Sequence, residues 1–455
     1  MPTRITDWRP EDATFWQQTG KGVATRNLWI SIPALLLAFS VWMVWSIVVV
    51  KLKAIGFKFT EQQEFWLTAL PALTGATMRI FYSFTVPIFG GRNWTVLSTA
   101  SLLIPAIGIG IAVQNPQTPY LVFVVLALLC GFGGANFASS MSNINYFFPK
   151  AQKGTALGLN AGLGNLGVSV MQFLVPVVIG AAVFGSLGGA PQQAVEKGVT
   201  KQIWLQNAGF IWVPMIVAVV VAAFFGMNNL DAAKASFADQ AVVFKRKHNW
   251  IMCWLYLGTF GSFIGYSAAF PKLIKVTFTD VDPLKFAFLG PLVGAMARPI
   301  GGWISDKLGG ARVTFWNFLA MIGAVGGVLY FLNAHSFAGF FAMFLVLFIT
   351  TGVGNASTFK MIPVIFLNEQ MRAAEGRGQE AQEQAKRNAA KESSAILGFS
   401  SALGAYGGFI IPITFGNAIK SGSPQTALIE FLVFYITCLA LTWWFYFRKN
   451  AEAPC

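Results

Sequence analysis

Twelve apolar runs recur along this 455-residue chain, each about the 20 residues that a helix needs to cross a hydrocarbon core of about 30 Å. They lie at 29–50, 62–84, 94–113, 119–141, 155–181, 205–226, 249–271, 283–304, 312–333, 338–362, 394–417 and 425–447. In lipid a backbone must close its hydrogen bonds within its own segment, so each run is expected to be a helix. Composition agrees: 55% of residues are hydrophobic and only 11% charged, too few charges to clothe a soluble surface. The fold class expected is therefore an all-α membrane protein with twelve transmembrane helices. The polar, basic run 14–28 precedes the first span, and no small-residue cleavage site follows that span, so no leader is expected to be removed.

A net charge of +14 invites a nucleic-acid reading, but the basic residues follow the loops and form no single basic face. Twenty of the 32 fall on the N-terminal side and the even-numbered loops, nine on the opposite side. The excess of Lys and Arg on one side places both termini in the cytoplasm. The expected organisation is a cytoplasmic segment 1–28, a six-helix bundle 29–226, a cytoplasmic linker 227–248, a second bundle 249–447 and a cytoplasmic tail 448–455. Four cysteines show no metal-binding spacing, and neither a cofactor nor a metal is expected.

The halves repeat. Shifted by 219 positions, Arg79 with Gly90-Gly91 matches Arg298 with Gly309-Gly310, Gly133 matches Gly352, and Asn136 matches Asn355. A longer loop in the second half moves the later match, Gly164 and Gly167 with Gly404 and Gly407, to a shift of 240. Two parallel six-helix pseudo-repeats with a substrate site near mid-membrane make the major facilitator architecture. The charged stretch 369–392 is expected to be solvated and helical in part.

Three basic residues remain inside spans, namely Arg79, Arg298 and Lys360. Both arginines stand some eleven residues before a loop, near mid-helix. An arginine there costs at least about 2.5–3.5 kcal/mol and marks a polar cavity rather than a snorkelling side chain. All Asp and Glu fall in termini, loops or near helix ends, leaving no carboxylate to neutralise the pair. Two guanidiniums without counter-ions form an anion site, and their planar forks favour a bidentate oxyanion. Nitrate, phosphate and organic acids all satisfy that chemistry. Lys360, about two turns from a helix end, reads as snorkelling.

Small residues at helical spacing read as close helix contacts: Gly162, Gly164, Gly167, Gly352, Gly354, Asn355, Gly404 and Gly407. GLGNLG fits a dinucleotide pattern by letter, but it follows no strand and lies in an apolar helix. In GGWISDKLGGARVTF, which is similar to the signature loop of major facilitators, Asp306 and Arg312 are candidate gating residues. The first-half loop VPIFGGRNWTVLS keeps Gly90, Gly91 and Arg92 but no acid.

Over nearly its whole length the chain resembles the nitrate/nitrite porter family of the major facilitator superfamily. The resemblance rests on GLGNLGVSVMQ (162–172) and GVGNASTFKMIP (352–363), with RIFYSFTVPIFGGR, CGFGGANFASSM and YLGTFGSFIG. It implies that Arg79 and Arg298 grip the anion's oxygens, that Phe137 and Phe260 sandwich its plane, and that Tyr256 and Asn165 add hydrogen bonds. The N-terminal stretch and the loop 369–392 are more similar to the nitrate/nitrite exchanger branch. The function expected is exchange of nitrate for nitrite across a bacterial inner membrane by alternating access, with no catalytic residue, no nucleic-acid partner and a monomer in the bilayer. Proton-coupled nitrate uptake, a nitrate-sensing receptor and a phosphate-ester exchanger are the competing readings.

Overall fold

The computed structural model describes residues 3–231 and 242–455. Part of the expected linker, 232–241, lies outside the described residues. Twelve principal helices follow in order: α1 (Lys21–Met43), α2 (Glu61–Tyr82), α3 (Gly91–Ala100), α4 (Tyr120–Phe147), α5 (Lys150–Val178), α6 (Trp212–Gly226), α7 (Ser262–Thr277), α8 (Leu289–Leu308), α9 (Gly310–Asn333), α10 (Phe337–Ala373), α11 (Gln379–Ala405) and α12 (Gln425–Thr442). Shorter helical pieces extend several of them, as Trp45–Leu52 extends α1 and Lys247–Gly261 leads into α7. Among the described residues, nine helices are long and apolar enough to cross a membrane. The other three expected spans are helical too, and they carry the charges: Glu64 and Arg79 in α2, Lys272 and Lys275 in α7, Arg298 and Asp306 in α8.

Helix ends depart from hydropathy for a physical reason: apolar composition marks where lipid ends, whereas a helix continues until something stops it. The first span is helical from Ala13, through the polar run. α10 runs on to Ala373 and α11 starts at Gln379, so 369–392 is helical apart from a turn in which Gly376 and Gly378 take φ of 76° and 86°. Ala, Glu, Gln, Lys and Arg in that stretch favour helix without lipid. α2 starts on a reciprocal cap, Thr60 Oγ1 accepting from the Gln63 amide and Gln63 Oε1 from the Thr60 amide. The duplication is visible in backbone geometry. Gly90 and Gly309, which precede α3 and α9, take φ of 82° and 89°, a region open to glycine.

The chain is not wholly helical. β1 (Arg4–Ile5) pairs in parallel with β4 (Asn229–Leu230), tying the N-terminal segment to the end of α6. β2 (Gln192–Glu196) and β3 (Val199–Ile203) form an antiparallel hairpin after α5. Its two-residue turn, Lys197-Gly198, has positive φ at both positions, which matches strand twist.

By packing, the chain forms two compact units. Unit 1 comprises Met1–Ala235, Ser267–Leu292 and Gly408–Gly416, so two pieces of the second repeat pack with the first. Its interior is built around α1, which packs against α4 and α5 and buries Phe39, Trp42 and the following Trp45 completely. Unit 2 comprises Ser236–Tyr266, Val293–Gly407 and Asn417–Cys455. There α9, α10, α11 and α12 pack around Tyr256, Phe318 and Tyr435. Large apolar side chains face outward, among them Ile88, Leu121 and Phe225, as a lipid-facing surface requires.

Candidate functional site

In unit 1 the last turn of α2 carries Arg79, which is fully buried. Its Nε donates to the Gly134 carbonyl of α4 at 2.8 Å, and its guanidinium lies 4.8 Å from the Phe137 ring centroid and 5.3 Å from that of Trp42. Ring faces beside a desolvated guanidinium stabilise it. The helix breaks just beyond, where Ser83 Oγ bonds the Arg79 carbonyl. Trp42 could not be singled out from sequence because it lies in an apolar span and its match in the repeat is Gly261. Asn165 is buried on α5, and its Oδ1 has no hydrogen-bond partner among the described residues. A small cleft in the same unit is lined by Ala34 and Leu35 together with polar side chains, among them Ser31, Ser98, Asn136 and Ser139.

Unit 2 holds the repeated arginine. Arg298 is partly buried on α8, and its Nη1 takes no hydrogen bond among the described residues. Its guanidinium lies 5.8 Å from the centroid of Phe359. The match of Phe137 in the second repeat is Ala356, so the aromatic partner has moved three residues, one turn along α10. Tyr256 stacks on Phe260 at 5.4 Å, tilts against Phe359 at 5.7 Å, and donates its hydroxyl to Asn355 Oδ1 at 2.7 Å. Thus Arg79 and Phe137 meet in one unit, and Tyr256, Phe260 and, through Phe359, Arg298 in the other.

The candidate gating residues separate. Asp306 Oδ1 accepts from Lys360 at 2.5 Å with both side chains about half exposed, whereas Arg312 is exposed. Lys360 does not stand near the end of its own helix, which runs on to Ala373; it reaches across to Asp306 in the last turn of α8 and is paired there. Of the glycines expected at close contacts, a side chain at Gly164 would meet Leu35, at Gly167 the Leu36 carbonyl, at Gly352 the Gly294 carbonyl, at Gly354 Asn317, at Gly404 Tyr256 and at Gly407 Gly261. Gly162 is a correction: nothing lies within 4 Å of where its Cβ would be. Two residues before Gly164 is about 200° around the helix, so it faces away from α1.

One cluster was not foreseen. Glu64, in the first turn of α2, is fully buried in unit 1 and is gripped by Lys272 of α7, which also meets Glu61 at 2.5 Å. Nearby, Glu196 of the hairpin bonds Lys51 at 2.8 Å and Lys275 at 3.0 Å. Burial alone would raise the Glu196 carboxyl, but the two lysine hydrogen bonds outweigh it and hold its pKa below the ordinary value. A helix-end acid carries no sequence signal of this burial.

Residues 30–374 match the family described as Major Facilitator Superfamily. The nitrate/nitrite transporter NarU of Salmonella typhimurium is 53% identical over 454 residues, covering 98% of this chain and 97% of that relative. The probable nitrate/nitrite antiporter NarK2 of Thermus thermophilus is 43% identical, with 100% and 98% covered. Among solved structures, a bacterial homologue of the human lysosomal transporter Spinster, inward-facing and unoccupied, superposes with a TM-score of 0.63 at 14% identity, covering 92% of this chain and 96% of the other. That likeness concerns the fold alone.

Proposed function

The chain belongs to the major facilitator superfamily and, within it, to the nitrate/nitrite porters, and on that footing we propose that it exchanges nitrate for nitrite across a bacterial inner membrane. It is a multi-pass membrane transporter. It works as a monomer with both termini in the cytoplasm, moves its substrates by alternating access, and makes or breaks no covalent bond. Arg79 and Arg298 bind the anion's oxygens, and Phe137 and Phe260 pack on its faces.

The observation that carries this reading is Arg298. Its Nη1 is buried without an acceptor among the described residues, at the position that repeats the fully buried Arg79. A buried donor without a partner is costly, and an anion removes that cost. A planar oxyanion presents two oxygens to such a fork, whereas a halide offers a single acceptor. Sequence places no acid in the middle of these spans, which favours anion exchange over proton-coupled uptake.

The test is counterflow in proteoliposomes carrying the full chain, without a pH gradient. Labelled nitrate should enter vesicles loaded with nitrite or nitrate. Entry that instead requires an imposed proton gradient would move the chain to coupled uptake, and binding without any flux would make it a receptor.

A further inference from the structure

Beyond exchange itself, we infer that residues 452–455 form a strap that positions the Asp306–Lys360 ion pair, and that this strap is a duplicated device of the fold. Helix α12 continues to Phe447, and the chain then folds back, the Ala453 amide donating to the Phe445 carbonyl at 3.1 Å. Ala453 is only 2% exposed, so the segment is packed rather than free. The Cys455 main-chain oxygen accepts from the Ala311 amide at 3.1 Å. That amide is one of the first-turn donors of α9, which have no partner within the helix.

The first repeat holds the counterpart. Ala311 matches Arg92 at the shift of 219, and the Arg92 amide, in the first turn of α3, donates to Asn229 Oδ1 at 2.9 Å. Asn229 follows α6 as Cys455 follows α12. The glycines before the two helix starts lie against the same segments: a side chain at Gly90 would meet Asn229, and one at Gly309 would meet Cys455. In each repeat, then, chain returning from the last helix closes the start of the third. The acceptor is a side chain in one and the main chain in the other, so the arrangement is shared where the letters are not.

In the second repeat the strap reaches further. Arg372 donates to the Glu452 carbonyl at 2.7 Å and Asn368 to that of Pro454 at 3.3 Å, which holds the end of α10. The Glu452 carboxylate pairs with Lys247 at 2.7 Å and lies 3.5 Å from His248 Nε2. Asp306 stands five residues before Ala311, and Lys360 eight residues before Asn368 on α10. The strap therefore fixes the chain beyond both partners of the 2.5 Å ion pair. At the matching positions the first repeat has Pro87 and Met141, so its strap has no such pair to position.

Two readouts on the full chain test this. The Cys455 thiol reports docking, because burial pushes its pKa up to about 12 and slows its reaction with a maleimide, while Cys130, Cys253 and Cys438 are buried. Glu452→Ala removes the contacts to Lys247 and His248 and should speed that labelling about fivefold, the effect of losing partly exposed pairs. Exchange in proteoliposomes reads the consequence. Removing residues 452–455 should lower turnover about fivefold or more while the KM for nitrate stays within about twofold, since no anion contact is touched. Asp306→Asn should show the same loss, and removing 452–455 from that variant should add little, because the strap acts through the pair. In the first repeat Asn229→Ala should lower the melting temperature, and Asn229→Asp, which keeps an acceptor for the Arg92 amide, should restore it. Turnover is counted per transporter recovered as a monodisperse peak, and Glu452→Ala carries the measurement if the shortened chain does not fold. The inference is overturned if Cys455 labels as fast in the unmodified chain as in Glu452→Ala, if turnover is normal without the strap, or if its loss adds in full to that of Asp306→Asn. Labelling needs no nitrate, so a wrong substrate would abolish exchange and still leave Cys455 slow to react.

Discussion

Arg79 lies with its guanidinium 4.8 Å from the ring centroid of Phe137 while its Nε is tied to Gly134, three residues earlier on the same helix. The arginine is therefore aimed by α4 rather than by its own helix, which breaks one turn later. Its Nε is spent on the backbone of α4, while the guanidinium carbon lies beside the rings of Phe137 and Trp42.

That division of labour predicts that charge alone will not suffice. Arg79→Lys and Arg298→Lys should each reduce nitrate exchange in vesicles at least about a hundredfold, because an ammonium cannot serve two directions in one plane. Near-normal exchange by either variant would remove that residue from the site.

Phe137→Ala and Phe260→Ala separate anion contact from packing. Phe137 supports Arg79 and Phe260 supports Tyr256, so each deletion should raise the exchange KM for nitrate more than it lowers the amount of folded protein. Unchanged KM with loss of a monodisperse peak in size-exclusion would make these rings core residues only.

Exchange should be obligatory. Closing the transporter around empty guanidiniums leaves desolvated charge that a bound monovalent anion offsets in part. If the empty occluded state is raised by about 4 kcal/mol, return slows about a thousandfold. Vesicles holding only an impermeant anion should then take up almost no nitrate, even with a pH gradient imposed. Robust uptake into that set contradicts the mechanism.

Lys272 holds the buried Glu64 by charge, so removing it should be worse than removing both. Lys272→Met leaves a buried carboxylate without its main partner, a loss of about 3–5 kcal/mol for a buried pair. Adding Glu64→Gln to that variant should recover part of the melting temperature. A double variant no more stable than Lys272→Met would show that the pair is not coupled.

Much of the fold was legible from periodicity, because lipid imposes one rule on every span: helix, apolar, about 20 residues long. The repeat was legible because Arg-to-Gly-Gly spacing survives in both halves, and the structure returns it as matching positive φ at Gly90 and Gly309. Arg79, Arg298, Phe137, Tyr256 and Phe260 could be picked out as candidates. Trp42 and Phe359 could not, since nothing in a row of apolar letters separates a ring under a guanidinium from a ring against lipid.

Sequence by itself determined that this chain lies in a membrane, that its twelve helices come from a duplicated unit, and that two arginines stand in spans whose acids keep to the helix ends. Those properties are additive along the chain, and hydropathy and spacing sum them. Only the tertiary structure decided that Glu64 is sealed against Lys272, that Gly162 faces away while Gly164 and Gly167 touch α1, and that the hydroxyl of Tyr256 is given to Asn355. Each of these depends on which face of one helix meets which face of another. A hydrogen or a charge can be used only once, and which neighbour uses it is settled by packing between residues nearly a hundred or more positions apart.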